Sequence, residues 1–204
     1  DPMYTRFDRR TLYVTYDVTR QLQMGDNAIG VLLGNGWYNH QSTAVWYFDK
    51  APWRNRPVFC MDLRISYSDG SVETVSTDRS WKTSLSPVIF NSIYTGEHYD
   101  ARLEIPNWDQ SDYVDTAWKE VVYRSAPSQH IVAQAMQPVR DVEKLPAKLI
   151  GKFVEVDVKR DTAKGIDFIF DLGRNISGVS ELRLSGERGT IVWLKHGERL
   201  YRGG

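Results

Sequence analysis

Between Phe59 and Tyr67 the chain alternates without a break. Phe59, Met61, Leu63, Ile65 and Tyr67 interleave with Cys60, Asp62, Arg64 and Ser66. Extended backbone points successive side chains to opposite faces, so this segment is a strand with one apolar and one polar side. Asp69-Gly70 follows at once and residues 72–75 run back, which predicts a hairpin closed by a type I′ turn. No stretch of ten or more residues sustains a helical apolar period. Further strands are expected over 12–17, 28–33, 88–90, 98–102, 118–123 and 131–136, rich in β-branched and aromatic residues. One helical turn fits residues 17–22, with Asp17 or Thr19 as its N-cap. Short strands with turn signals every 8–12 residues make an all-β chain of sandwich or barrel type.

The 204 residues suffice for one large domain or two small ones. Residues 137–151, with Pro138, Lys144, Pro146 and Lys148, lack periodicity and read as a connector. They divide a first unit, 1–136, from the start of a second, 152–204, whose strands are expected over 165–171, 179–185 and 190–196. Lys plus Arg equal Asp plus Glu at 26 each, which argues against a nucleic-acid partner, because phosphate neutralisation supplies most of such affinity. Apolar runs such as 28–33 fall far short of the roughly 20 residues of a membrane span. The single cysteine, Cys60, can form no intramolecular disulfide and reads as a small packed residue. Beginning on Asp1-Pro2, the chain reads as a processed or excised piece, so its start says nothing of compartment.

Residues 34–57 break the strand rhythm, and loops of this length in compact domains are usually functional or disordered. This one carries Trp37, Tyr38, Asn39, His40, Gln41, Trp46, Tyr47, Trp53, Arg54 and Asn55, too aromatic for disorder. Gly34-Asn35-Gly36 is a tight turn rather than a dinucleotide fingerprint: Asn39 holds the third glycine position and Trp37-Tyr38 would block a pyrophosphate. His40, His98, His130 and His196 show no metal-ligand spacing, and no Gly-x-Ser-x-Gly elbow is present.

A second polar cluster runs from Asn91 to Arg102. Its Glu97 and Asp100 invite comparison with the two carboxylates of a glycosidase. On a strand, however, residues three apart face opposite ways, whereas Asp100 and Arg102 share a face and favour an ion pair. Sugar binding needs a flat aromatic surface for C–H groups and a few placed polar groups for hydroxyls. Trp37, Tyr38, Asn39 and Trp46 on the loop, with Tyr94, Glu97, Asp100 and Arg102 on the polar cluster, supply both. The same aromatics also suit a packing role, as edge residues do in any sandwich.

Four motifs carry a family likeness: Leu12-Tyr13-Val14-Thr15-Tyr16-Asp17-Val18-Thr19, Gly25-Asp26-Asn27-Ala28-Ile29-Gly30, Leu33-Gly34-Asn35-Gly36-Trp37-Tyr38, and Tyr94 through Arg102. In order and spacing they resemble the N-terminal domain of bacterial α-L-rhamnosidases of glycoside hydrolase family 78. Phe170-Asp171-Leu172-Gly173-Arg174-Asn175-Ile176-Ser177-Gly178 and His196-Gly197-Glu198-Arg199-Leu200 resemble the opening of that family's next β-sandwich.

The resemblance implies a galactose-binding-like jelly-roll sandwich followed by part of a second. It implies an enzyme that removes terminal α-L-rhamnose by inversion, with the chemistry in an (α/α)₆ barrel. The barrel's carboxylate motifs do not occur in this sequence, so no catalytic residue is assigned and the chain alone is expected to be inactive. The strands that precede Asp1 in the family are also missing, which leaves the first sandwich short of a strand. The implied partners are an L-rhamnose-containing carbohydrate and the catalytic barrel. Some members resemble a calcium-dependent rhamnose-binding module, so Ca²⁺ enters as the one implied ion, with no ligands placed here. The compartment in a bacterium, whether secreted, periplasmic or cytoplasmic, stays open. Two functional classes follow: a carbohydrate-recognition module, or a structural arm that packs on the barrel and binds no sugar.

Overall fold

A computed structural model describes residues 2–43, 46–154 and 166–199. Gly165 and Leu200, which open a predicted strand and close a motif, lie outside the described residues. The chain divides into two compact units, Asp1–Pro138 and Val139–Gly204. Among the described residues regular structure is strand apart from two single-turn 3-10 helices, Phe48–Lys50 and Ala101–Leu103, and the protein is all-β.

In the first unit β1 (Thr11–Tyr13) pairs in parallel with β8 (Ile131–Ala133), and β2 (Asp62–Ser66) pairs antiparallel with β3 (Val72–Ser76). The two-residue strands β4 (Lys82–Thr83) and β7 (Lys119–Glu120) pair antiparallel, as do β5 (Val88–Ser92) and β6 (Gly96–Tyr99). In the second unit β9 (Lys148–Val154) pairs antiparallel with β10 (Ile166–Asp171). β9 begins inside the stretch 137–151.

The predicted alternation holds in the middle of the 59–67 stretch, where Met61, Leu63 and Ile65 are half-buried while Cys60, Asp62, Arg64 and Ser66 are exposed; the end aromatics Phe59 and Tyr67 lie beyond the ladder and are exposed. Cys60 is therefore a free thiol on the polar side, not a packed residue, because its place in the period puts it outward with Asp62. The turn also differs from type I′, which needs positive φ at both central residues. Of Asp69 and Gly70 only Gly70 has it, at 87°. Gly70 N–H donates to Tyr67 O at 3.1 Å and Tyr67 N–H to Ser71 O at 2.9 Å. These bonds define a three-residue loop with a glycine bulge. Asp69 selects it, because its carboxylate accepts from both the amide and the hydroxyl of Ser71.

Several strands are shorter than predicted, each for a local reason. β1 ends at Tyr13, and Asp17 then accepts from the Thr19 amide at 3.0 Å to cap a turn in which Gln21 N–H reaches Val18 O. Residues 28–33 form no ladder. β6 stops at Tyr99 because the Asp100 carboxylate takes the Arg102 amide at 3.0 Å and starts a 3-10 turn. Ladders near 118–123 and 131–136 shrink to Lys119–Glu120 and Ile131–Ala133. Residues 179–185 and 190–196 form no strand; their apolar side chains are exposed, Val179 to 90%, and the described residues offer them no ladder partner. Ser180 Oγ and His196 Nε2 meet at 2.8 Å instead.

Among the described residues no apolar side chain is fully buried; packing in the first unit rests on half-buried aromatic groups. Trp108 and Trp118 stack with ring centroids 6.3 Å apart, and Trp118 donates its indole N–H to the Tyr113 hydroxyl at 3.2 Å. A Cβ on Gly30 would stand 2.5 Å from Trp108 Cζ3. A rigid ring cannot yield as a flexible chain end would, so glycine is required there.

Two substitutions separate the two reasons for glycine. Gly70→Ala should cost about 1–2 kcal/mol from left-handed strain alone, since open space surrounds the position. Gly30→Ala should cost about 1–3 kcal/mol by overpacking and shift tryptophan emission as Trp108 moves. Urea unfolding with emission spectra checks both; an unshifted spectrum in Gly30→Ala would contradict the contact.

Candidate functional site

The aromatic loop is fixed to the β5–β6 hairpin at one point. Asn35 donates its backbone N–H to Asn91 Oδ1 at 2.8 Å and its side-chain amide to Asn91 O at 3.0 Å. Asn39 in turn donates Nδ2–H to Asn35 Oδ1 at 2.7 Å and its backbone N–H to Asn35 O at 3.0 Å. Gly36, at φ 50°, turns the chain between them. Asparagine suits this position because one side chain both donates and accepts. Asn91 faces Glu97 in the hairpin register, so the pair carries the loop to the strand that bears the polar cluster.

The loop closes on itself. Asn55 N–H donates to Tyr38 O at 3.3 Å and Arg54 Nε–H to His40 O at 2.8 Å, so its outgoing and returning legs run together. Inside, Trp37 meets Tyr4, His40, Phe48 and Tyr94 with centroids 5.2, 5.5, 5.1 and 5.8 Å away. Phe48 also contacts Trp46 at 5.9 Å and Trp53 at 6.1 Å. Most of these contacts are edge-on or tilted, the arrangement that ring quadrupoles favour.

His40 lies at the centre. It is 1% exposed, and neither ring nitrogen has a hydrogen-bond partner. Asp49 Oδ1, Trp53 Nε1 and Ser92 Oγ are likewise buried and unpartnered. An unsatisfied buried polar group costs about 1–3 kcal/mol, so this loop concentrates unfavourable terms. Trp46 and Tyr47 add to them, with left-handed φ of 48° and 54°, a conformation costing about 1–2 kcal/mol for each non-glycine residue.

The polar cluster is more ordinary. Glu97 is exposed on β6. Asp100 and Arg102 form a bidentate ion pair, Nε to Oδ1 at 2.8 Å and Nη2 to Oδ2 at 2.6 Å. The pair expected from a shared strand face exists, but a 3-10 turn makes it. Tyr99 donates its hydroxyl to Glu104 at 2.5 Å. That bond, with desolvation and the charges of Glu104 and Glu97, pushes the phenol up to about 12.

The structure thus brings Trp37, Asn39 and Tyr94 together through Asn35 and Asn91. Tyr38 is half-buried and turned to Phe7, with centroids 5.1 Å apart. Trp46 is 75% and Tyr94 47% exposed, so each presents ring surface to solvent. Glu97 shares the hairpin, while Asp100 and Arg102 are engaged with each other. Sequence reasoning passed over His40, Phe48 and Asn91 as members of the site. Loop-borne aromatics beside a lone histidine were the available signal for the first two. Asn91 had none, because its role depends on register. Calcium takes six to eight oxygen ligands with carboxylates at the centre. Among the described residues no three His, Cys, Asp or Glu side chains converge to hold a metal. An apolar groove of 390 Å³ beside β1 and β8, lined by Met3, Tyr4, Leu12 and Val132, contains none of the predicted site residues.

Residues 1–143 match the family model of the α-L-rhamnosidase N-terminal domain, and residues 161–204 that of the bacterial α-L-rhamnosidase concanavalin-like domain. An α-L-rhamnosidase of Streptomyces avermitilis is 34% identical over 201 residues, covering 98% of this chain and 18% of its own length. One from Alteromonas sp. is 34% identical over 204 residues, covering 99% and 21%. The chain thus spans about a fifth of the length of these relatives. Among solved structures, the S. avermitilis α-L-rhamnosidase complexed with L-rhamnose superposes with TM-score 0.67 at 29% identity, over 86% of this chain and 16% of that one. The Dictyoglumus thermophilum enzyme gives 0.61 at 28% identity, over 76% and 16%.

Replacing Asn35 by alanine removes its side-chain bonds to Asn91 and Asn39. The expected loss is about 1–3 kcal/mol, with faster amide exchange confined to residues 36–55; unchanged exchange there would mean the loop is held elsewhere. Tyr99 provides a pH test. Its folded value is raised from 10.0 to about 12, so the folded state binds the proton more tightly and this contribution is complete below pH 10. It is lost as pH rises through the interval from 10 to about 12. Absorbance titration should show Tyr99 as the latest of the tyrosines, beyond Tyr38 and Tyr67, which are also raised, and Glu104→Gln should move it back toward the ordinary range.

Proposed function

The chain belongs to the α-L-rhamnosidase N-terminal domain family, and we propose that it forms the non-catalytic carbohydrate-recognition region of an enzyme that removes terminal α-L-rhamnose by inversion. The observation that carries this reading is the aromatic loop pinned to the β5–β6 hairpin by Asn35 and Asn91. The loop bears the exposed ring of Trp46 and the amide of Asn39, and the hairpin bears the half-exposed ring of Tyr94 and the exposed carboxylate of Glu97. A pyranose offers complementary chemistry, an apolar C–H face and a hydroxyl edge.

The packing of Trp37 favours a division of labour. Its ring is half-buried among four others, so it supports the surface, while Trp46 and Tyr94 present their faces outward. Glu97 serves as a hydroxyl partner. Asp100 and Arg102, held by their own ion pair, position the end of β6.

A second reading is favoured by a different observation. The accessible surface is 18661 Å², against about 12,000 Å² for two compact units of these lengths. Apolar groups are left available to further polypeptide, which suits a structural arm packing on the catalytic barrel. The two roles are compatible on different faces.

Titration with L-rhamnose discriminates between them. Binding through one open face should be weak, on the order of 0.1–1 mM, or about 4–5.5 kcal/mol. Trp46→Ala should cost about 1–2 kcal/mol through lost stacking area, enough to abolish detectable binding. Trp81→Ala, which removes the ring packed on Phe59 at 6.0 Å, should lower thermal stability and leave binding intact. Calorimetry showing no heat with wild-type chain would leave the structural arm as the function.

A further inference from the structure

We propose that Trp46–Lys50 is a strained lid, and that beneath it His40 and Trp53 Nε1 form an inner surface that receives the hydroxyl edge of a sugar. The proposal rests on the carbohydrate-recognition reading and deepens it.

Two independent observations converge. The first is chemical: His40 is 1% exposed with both ring nitrogens unpartnered, and Trp53 Nε1, Asp49 Oδ1 and Ser92 Oγ are buried without partners too. Native structures satisfy such atoms with protein or ordered water, and each exception calls for an explanation. A neutral imidazole offers one donor and one acceptor, and an indole a donor. Adjacent hydroxyls of a pyranose provide the same alternation, and the surrounding rings suit its C–H groups.

The second observation is conformational. Two consecutive aromatic residues, Trp46 and Tyr47, hold left-handed backbone, which non-glycine residues keep only where surroundings over-determine it. Among the described residues, Trp46 leans on Phe48 at 5.9 Å, the Tyr47 carbonyl accepts from Lys50 N–H at 2.9 Å, and Lys50 Nζ stands 5.3 Å from the Tyr47 ring. Phe48 is the plug, with contacts to Trp37, His40 and Trp53. Its withdrawal relaxes the strain and uncovers His40. The framework behind it is firmer, because Arg54 holds the His40 carbonyl and Asn55 the Tyr38 carbonyl. Opening therefore moves the lid and leaves the inner surface in place.

The test uses the 204-residue chain with L-rhamnose as probe and diethyl pyrocarbonate as reporter of imidazole access, read residue by residue by mass spectrometry. The exposed His98, His130 and His196 serve as internal references. Without sugar, His40 should react slowly, and at least about tenfold faster in Phe48→Ala. L-rhamnose should protect His40 and leave the other three unchanged. Trp53→Phe keeps an aromatic ring and deletes only the indole donor; it should weaken rhamnose about three- to tenfold with an unchanged circular dichroism spectrum. If rhamnose binds wild-type chain and Trp53→Phe equally and leaves His40 unprotected, the sugar lies on the outer rings and the inner surface is refuted. If His40 reacts as fast as the exposed histidines in wild type, there is no lid. An absence of rhamnose binding in every form removes the recognition reading, and this one with it.

Discussion

The bond between Asn35 and Asn91 organises the candidate site. Fifty-six residues separate the two, yet the loop and the hairpin meet through them. One amide accepts from a backbone N–H while the other donates to a backbone carbonyl, so each side chain replaces a rung that a sheet would otherwise supply. Asn39 then ties the following turn to the same pair. Once this junction is made, Trp37 and Tyr94 come within ring contact, and Phe48 and His40 fill the space between the legs of the loop. Removal of the junction would leave an aromatic segment with no fixed partner.

Some of this arrangement is legible in the chain and some is not. The alternation around Leu63 and Ile65 is a local property, and it appears as a hairpin in the expected place. The loop of residues 34–57 is equally visible, since a run of aromatic and amide residues without periodicity can be nothing regular. Turn type is less accessible: Asp-Gly serves both a two-residue turn and a three-residue loop with a bulge, and the Ser71 hydroxyl decides between them by bonding Asp69. Strand ends fail for the same reason. Asp100 reads as the middle of a strand until its carboxylate captures the Arg102 amide. His40 is the hardest case. As one of four histidines without ligand spacing it is marked only by the aromatic loop around it, and its burial emerges when Phe48 of the same loop and Tyr94 of the hairpin are brought against it.

The family relationship gives the surface of this chain its meaning. Matching relatives are several times longer, and their names describe whole enzymes. A sandwich built to work within a larger body need not complete its own core. The half-exposed Leu149, Ile150, Phe168 and Phe170 of the β9–β10 pair illustrate this: a two-stranded ladder is marginal alone and needs a further layer to be stable. The first unit instead spends its aromatic residues on small clusters, Trp108 with Trp118 and Trp37 with its neighbours. These order particular loops more than they fill an interior.

The parallel pairing of β1 with β8 has a mechanical consequence. Thr11 N–H bonds to His130 O and Gln134 N–H to Tyr13 O, each at 2.9 Å, and both strands run the same way. Polypeptide therefore enters the first unit at one end of this ladder and leaves at the other. A pull on the two ends of the unit acts along the strands, so the bonds of the ladder are loaded together in shear instead of being opened one at a time. An antiparallel pair at the same place would unzip from its end. However short, this ladder lets the unit transmit tension between its flanks, and the ring contacts of Tyr4 with Trp37 and of Phe7 with Tyr38 tie the aromatic loop to the segment that leads into it.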